Sequence, residues 1–467
     1  MKNKTAEVDK IYLFEEMPIP QAVAKLALPA VIASMVTVLY NLADTMFVGM
    51  LNDPVEVSAI TISSTISLLL IGVTNLCGAG GSSVLGRALG RRDYEAAKKS
   101  SATSIWLGIV IALIYSVVFA TFDTRILTAL GATEENITPT ENYLFWTVIL
   151  GAIPYVLHIT LSYLVRTEGD SLRASIGTMT GCILNIILDP IFVLDFGLGM
   201  GAAGAGCATF ISNCVACIYY FVVIARKKGH TFVNFLPKHI DISKPVLGDI
   251  CSVGIPAAIQ NFLNVLSMGL LNLLAAGYGT DVVAAIGIAY KIHMVPFQVT
   301  FGASSGVMAL FSYNYGSRNY RRAKEAFRFT TVISVGFMVV VSAIMMIFAG
   351  GIVGAFIKDG AVIGHGEIFL KAFLIALPFQ CLDFMGVGIY QAFGKGHLAL
   401  FAAVIRKIIL EISFLLILEK LWPCYGISLA QPAAEVVLCI ITVIVVGRIF
   451  HRLESESAPS VVSDTTK

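Results

Sequence analysis

The sequence predicts an all-α integral membrane protein of twelve transmembrane helices, arranged as two parallel six-helix pseudo-repeats. Three observations predict it. Composition sets the solvent: 57% of the 467 residues are hydrophobic, 13% are charged and mean hydropathy is +0.82, against roughly 25% charged in a soluble domain. Apolar runs recur at the length of about 20 residues that crosses a bilayer as a helix. A basic phrase occurs twice, GRRDYEAAK at 90–98 and GSRNYRRAK at 316–324, 226 residues apart.

The runs follow in order. Span 1, near 26–51, carries Pro29 and NLADTMFVG. Span 2 (57–85) leads into the first basic phrase. Span 3 (101–122) is uninterrupted, and span 4 (143–165) closes on VRTEGD. Span 5 (174–196) holds LNIILDP, and span 6 (203–225) follows GMGAAGAGCAT and enters the basic linker RKKGHTFVNFLPKHIDISKP. Span 7 (247–278) contains VGIP, and span 8 (282–312) leads into the second basic phrase. Spans 9 (329–350), 10 (367–393), 11 (398–419) and 12 (427–450) complete the count.

The halves align at offsets of 224 to 227 residues: Pro29 with Pro256, Ala59-Ile60 with Ala285-Ile286, Pro154 with Pro378, Gly169 with Gly394. Six is even, so both halves have the same orientation, related by an axis along the membrane normal. That arrangement is typical of secondary transporters. The domains expected are an N-terminal tail (1–17), an N-terminal lobe (18–225), a linker (226–245), a C-terminal lobe (246–452) and a disordered tail (453–467). In each basic phrase the Gly is expected to make a tight turn after a span.

Lys and Arg orient the spans. They cluster after even-numbered ones, at Arg87, Arg91, Arg92, Lys98 and Lys99, at Arg226, Lys227 and Lys228, and at Arg318, Arg321, Arg322 and Lys324. Loops after odd spans hold only Arg125, Lys358 and Lys420. The positive-inside rule makes the even-side loops and both termini cytoplasmic, as in a multi-pass plasma-membrane protein. Residues 1–15 lack the apolar core of a cleavable signal peptide.

Several function classes are excluded. The net charge of +2 is accounted for by orientation, and basic residues alternating with spans do not form a nucleic-acid surface. Nine cysteines, mostly within spans, make neither a metal pattern nor a disulfide framework. No Ser/His/Asp or HExxH constellation marks an enzyme. GMGAAG at 199–204 fits GxGxxG but follows a helix where a dinucleotide site needs a strand. The sequon Asn136-Ile137-Thr138 is too short a pattern to carry an argument.

A charged group at the bilayer centre costs about 2.5 kcal/mol or more, so ionisable residues in spans mark functional sites. Asp44, Asp189, Asp383 and Glu411 lie inside apolar runs. Asp44 has Asn41 one turn earlier. Asn185 and Asp189 share a helix face at i, i+4, and Pro190 frees the carbonyl of residue 186. Two carboxylates with amide and carbonyl oxygens suit a proton or a small hard cation if spans 1 and 5 are adjacent. Glu411 stands four residues after Lys407, which also fits an intrahelical ion pair. In the other half, Asp44 corresponds to Leu271 and Asp189 to Leu415, so the ion site belongs to the N-terminal half alone.

Pro29, NLADTMFVG, GRALGRRDYEAAKK, VRTEGD, LNIILDP with GMGAAGAGCAT, and GIP, in this order on twelve spans, resemble the multidrug and toxic compound extrusion family from about Pro18 to Arg452. The resemblance implies two six-helix bundles in a V and export of amphiphilic organic cations against inward H⁺ or Na⁺, with no other cofactor. It places the coupling-ion site on Asp44, Asn185, Asp189 and Thr209. The branch that keeps carboxylates in the C-lobe is matched poorly: Asn264 stands where its span 7 glutamate would be, and Gln380 near its span 10 aspartate. Candidate cavity residues are Asn41, Met35, Met179, Gln260, Asn264, Met268 and Asp383. The chain is expected to act as a monomer. The alternative is a lipid-linked oligosaccharide flippase of the same superfamily, for which Arg406 and Lys407 on span 11 would be the pyrophosphate ligands.

Overall fold

The computed structural model describes residues 11–51, 53–129, 132–227 and 229–457, and among them there is no β-strand. Ten helices are individually long and apolar enough to cross a membrane. They are α1 (Ile19–Gly49), α2 (Pro54–Gly90), α3 (Tyr94–Ala129), α5 (Ser171–Val193), α6 (Gly201–Arg226), α7 (Lys244–Ala276), α8 (Thr280–Gly316), α9 (Tyr320–Ile347), α10 (Gly360–Ala392) and α12 (Gly426–Ser457). The other two expected spans are broken ones. Span 4 is a pair, Ile137–Ile149 and Ala152–Thr167, bent by 45° and together called α4. Span 11, α11, runs over 396–421 with a wide π-helical stretch, Ile405–Glu411, in its middle. That stretch carries Arg406, Lys407 and Glu411, so the irregular turn coincides with the charges.

The helices form two six-helix halves in a V. Between the halves, α1 packs along α8 and α2 along α7, a pair of contacts that the pseudo-twofold exchanges. Glycines make this approach possible. A Cβ added to Gly90 would stand 2.0 Å from the Tyr313 carbonyl oxygen, one on Gly316 2.2 Å from that of Arg87, and one on Gly80 2.4 Å from that of Ile250. At Gly72, farther from the basic loops, the nearest atom is 3.8 Å away. The seam is therefore close from the end bearing the basic loops as far as Leu76, whose carbonyl oxygen would stand 2.2 Å from a Cβ on Gly254, about 21 Å along the helix at 1.5 Å per residue, and opens by Gly72.

This corrects the role expected of the repeated glycine. Gly90 and Gly316 are the last helical residues of α2 and α8, and close backbone approach is what excludes a side chain there. The turn itself falls two residues later, where Arg92 and Arg318 both take φ of 59°. Asp93 and Asn319 then cap the next helices, accepting from Ala96 N (3.0 Å) and Arg322 N (3.2 Å). The two phrases adopt one conformation because each must turn and cap within three residues.

Two segments fasten the basic end. The turn Tyr12–Glu16 lies across both halves: Arg322 Nε donates to the Phe14 carbonyl at 2.6 Å, Tyr313 donates to Glu15 at 2.8 Å, and Arg92 reaches Glu15 at 3.4 Å. The linker lies on α3, with Trp106 Nε1 donating to the Phe235 carbonyl (2.9 Å) and Lys99 paired to Asp241 (3.0 Å). Hydrogen bonds from Ser243 and Lys99 pull the Asp241 carboxyl down to about 2, so this anchor stays charged into strongly acidic solution. Glu168, from VRTEGD, is buried and accepts from Thr231 Oγ1 (2.8 Å) and from the N–H groups of Phe232 and Val233 (3.0 Å to the latter).

At the other terminus the helical register continues past the expected end of the lobe. α12 extends to Ser457, supported by Lys324–Glu454 (2.8 Å) and Arg452–Glu456 (2.8 Å) pairs, so residues 453–457 are helical. The rest of the tail expected to be disordered, 458–467, lies outside the described residues.

Filling the seam tests its construction. Gly90→Val is expected to lower stability by about 1–3 kcal/mol, the cost of overpacking a tight interface, read as a fall in thermal melting temperature of the purified protein. Gly72→Val, where there is room, should be near neutral in the same assay.

Candidate functional site

Two cavities share Ile71 in their walls, one lined by the N-terminal half alone and the other mostly by the C-terminal half, with Asn75 and Tyr163 of the N-terminal half across from it. The N-terminal one has a volume of about 390 Å³ and a hydroxyl-rich lining that includes Thr37, Tyr40, Tyr143, Tyr155 and Thr209. Asn41 and Asn185 also line it. The C-terminal one, about 430 Å³, has amide, sulfur and aromatic walls, among them Gln260, Asn264, Met268, Phe297 and Gln380. Of the cavity candidates, Met35 and Met179 are half-buried and line neither of these two, and Asp383 is buried behind the wall.

In the N-terminal half, α1, α5 and α6 pack together and bring the expected ion residues into one place. Asp189 is 0% exposed and Asn185 2%. With its amide turned so that nitrogen faces the carboxylate, Asn185 donates to Asp189 Oδ2 at 2.8 Å. Its oxygen then accepts from the Thr209 hydroxyl (3.2 Å) and N–H (3.1 Å). The i, i+4 spacing thus fixes the carboxylate, and α6 fixes the amide. Asp44, half-buried on α1, lies within electrostatic range of Asp189, and Tyr40 and Tyr143 lie within range of both.

No Lys or Arg among the described residues acts as a charge partner of Asp44 or Asp189. Two neighbouring carboxylates in a low-dielectric site cannot both stay ionised without a compensating cation. A proton on one of them, or a small cation held by carboxylate and hydroxyl oxygens, supplies it. Among the described residues there is no group of three or more His, Cys, Asp or Glu that could hold a metal ion, so a cation here would lean on the neutral oxygens of Asn185, Thr209 and their neighbours. His158 lines the same cavity, its Nδ1 3.3 Å from the Pro154 carbonyl. Asn136 of the sequon is buried, its amide donating to Ser58 Oγ at 2.9 Å.

The C-terminal half holds charges of both signs. Lys407 Nζ is 2.6 Å from Glu411 Oε2, the intrahelical pair that the spacing allowed, and Ser267 donates to the same carboxylate. Arg406 Nε is 3.1 Å from Oε1 of Glu435, a 0%-exposed residue of α12. Glu435 is a fifth intramembrane carboxylate that the sequence reading missed, although it stands in plain view inside the apolar run 427–450. The cation above the Phe384 ring, Arg406 at 5.0 Å, and the His293–Gln380 contact at 3.1 Å were likewise visible only in three dimensions.

Comparison with known proteins adds three findings. The family model MatE matches residues 29–191 and 256–417, one match in each half. The chain is 30% identical over 452 residues to the multidrug export protein MepA of Staphylococcus aureus, covering 96% of this chain and 98% of that one. It is 28% identical over 451 residues to the MepA of Staphylococcus saprophyticus, at the same coverage. Its fold matches an outward-facing multidrug resistance MATE family transporter of the MOP superfamily (TM-score 0.89, 24% identity, 95% of this chain and 98% of that) and a MATE in the bent conformation (TM-score 0.88, 24% identity, 96% and 99%).

The buried ion pairs make a stability prediction. Lys407→Met leaves Glu411 uncompensated and is expected to cost about 3–5 kcal/mol. Combining it with Glu411→Leu should recover most of that loss in thermal unfolding.

Proposed function

Since the chain belongs to the MatE family, we propose that it is a plasma-membrane antiporter exporting amphiphilic organic cations by alternating access, driven by inward H⁺ or Na⁺. The observation that carries this reading is the pair of carboxylates Asp44 and Asp189, with no basic partner among the described residues, Asp189 being joined through Asn185 to the wall of the N-terminal cavity. A structural carboxylate in a membrane acquires a counter-charge; one left without it is kept for an ion that comes and goes. The MepA relatives, named as multidrug export proteins, support the direction of transport.

The mechanism follows from the arrangement. The basic loops face the cytoplasm, so the tight glycine seam closes that side and both cavities open outward. A proton or Na⁺ entering from outside neutralises Asp44 or Asp189 and alters the packing of α1, α5 and α6. The same α1 forms one side of the seam against α8, so the ion site and the gate share a helix. Each charge moved inward down the potential contributes about 2.3 kcal/mol per 100 mV. Drug occupies the C-terminal cavity, where Met268, Met294, Phe297 and Phe384 give an adaptable apolar surface. Ion release to the cytoplasm resets the cycle. Apart from proton transfer to and from a carboxylate, nothing in this cycle makes or breaks a covalent bond, and one chain contains both halves of the machine.

The flippase reading is weaker for a specific reason. Arg406 and Lys407 line the C-terminal cavity, but each is within 3.1 Å of a glutamate. A pyrophosphate would have to displace a buried carboxylate to reach either.

The test is transport of a fluorescent organic cation into proteoliposomes under imposed proton or sodium gradients. Wild type should show gradient-driven, saturable transport. Asp189→Asn and Asp44→Asn should fall to the level of protein-free liposomes while still binding the dye. Loss of dye binding with coupling intact would reverse the assignment of the two sites.

A further inference from the structure

The charge cluster of the C-terminal half does not balance. Asp383 on α10, Arg406, Lys407 and Glu411 on α11, and Glu435 on α12 are all 8% exposed or less. That is three carboxylates against two cations, inside the helix bundle. Lys407 and Glu411 close on each other at 2.6 Å. Arg406 belongs to Glu435 at 3.1 Å. Asp383 is left over. Its Oδ1 accepts from Thr442 at 2.7 Å, but its Oδ2 has no hydrogen-bond partner, and neither oxygen of Glu435 receives a hydrogen bond.

Asp383 and Glu435 are side by side, each acting on the other through charge and at hydrogen-bonding range. The other titratable or charged groups facing the pair are Arg406, Lys407, Glu411, Cys381, Cys439 and Tyr390. His293 and Tyr290 lie within electrostatic range of Arg406. None of the neutral ones can supply a positive charge without gaining a proton. One proton placed between the two carboxyls joins Asp383 Oδ2 to an oxygen of Glu435, leaves Glu435 Oε1 to Arg406, and brings the cluster to zero net charge.

We propose that Asp383 and Glu435 share a single proton, and that this pair is a second exchange site, coupled to the C-terminal cavity through Arg406. Arg406 lines that cavity and is paired to Glu435 behind its wall. When an organic monocation enters, the acid O–H bond breaks and the proton leaves to cavity water. Asp383 and Glu435 are then both carboxylates, balanced by Arg406 and the bound cation. The exchange is one proton for one monovalent cation, and the charge of the cluster is zero before and after. The exchange step rests on the proposed placement of drug in this cavity; the shared proton does not.

Infrared difference spectroscopy of the full chain in lipid nanodiscs separates the two. Wild type should show a buried carboxylic-acid carbonyl band at neutral pH that disappears in Asp383→Asn and, independently, in Glu435→Gln, since each variant leaves one carboxylate matched to Arg406. Asp189→Asn should retain it. A wild-type spectrum without this component, or C-terminal variants that both keep every carbonyl component of wild type, overturns the shared proton; a component lost only in Asp189→Asn belongs to the N-terminal pair. Addition of tetraphenylphosphonium should erase the wild-type band and release one proton per protein to an indicator dye. Binding of tetraphenylphosphonium with the band intact overturns the exchange. Failure of tetraphenylphosphonium to bind overturns the substrate reading, and the band then decides the shared proton by itself.

Discussion

A charge inside hydrocarbon must be matched, and this constraint organises the whole molecule. With no water at hand, backbone groups close on themselves as helices, and side-chain charges find partners or face a cavity. Arg406 with Glu435 and Lys407 with Glu411 obey by pairing. Among the described residues Asp44 and Asp189 have no such partner, and Asp189 is held instead by Asn185, which lines a cavity. The difference between these two solutions is the difference between scaffold and site. The two halves differ accordingly: unpaired carboxylates beside a hydroxyl-lined cavity in one, and paired charges beside an amide- and sulfur-lined cavity in the other, on helices related by a repeat that has diverged where the charges sit.

What joins the halves is the seam. α1 carries Asp44 in its C-terminal half and packs against α8 nearer its N-terminus, where Gly302 and Gly306 admit the backbone of Val31 and Ala27. In the proposed cycle, neutralising a charge at one end of α1 acts on the same helix that packs against α8 at the other. The strap of Tyr12–Glu16, held by Arg322 and Tyr313 of one half and Arg92 of the other, lies over the same closure. Both devices are built from the repeated phrase and its neighbours, which is why that phrase occurs once per half.

The fold was largely legible in the sequence. Apolar run length located all twelve spans, and a constant offset revealed the repeat, because both signals are imposed by the bilayer. Local geometry was less so. Gly90 read as a turn residue, whereas its neighbour is the Tyr313 carbonyl 223 residues away, a contact no local pattern encodes. The break of span 4 falls at Gly151, with Pro154 just after it, whereas the π-helical stretch at 405–411 contains no proline or glycine and only packing decides it. For the site, Asn185 and Asp189 were readable because helix spacing links them, while Thr209 came through family resemblance alone. Glu435 was missed because its partners, Arg406 and Asp383, lie 29 and 52 residues away on other helices, so nothing adjacent drew attention to it.

The central claim is that ion occupancy of the N-terminal site controls the seam. The direct measurement is the distance between spin labels at Arg91 and Ser317, at the basic ends of α2 and α8, in lipid nanodiscs as pH or Na⁺ is varied. The account predicts a change from a short to a long separation in wild type, governed by H⁺ or Na⁺, with Asp189→Asn locked in one state. A separation that responds to neither ion, or that responds equally in Asp189→Asn, would contradict it.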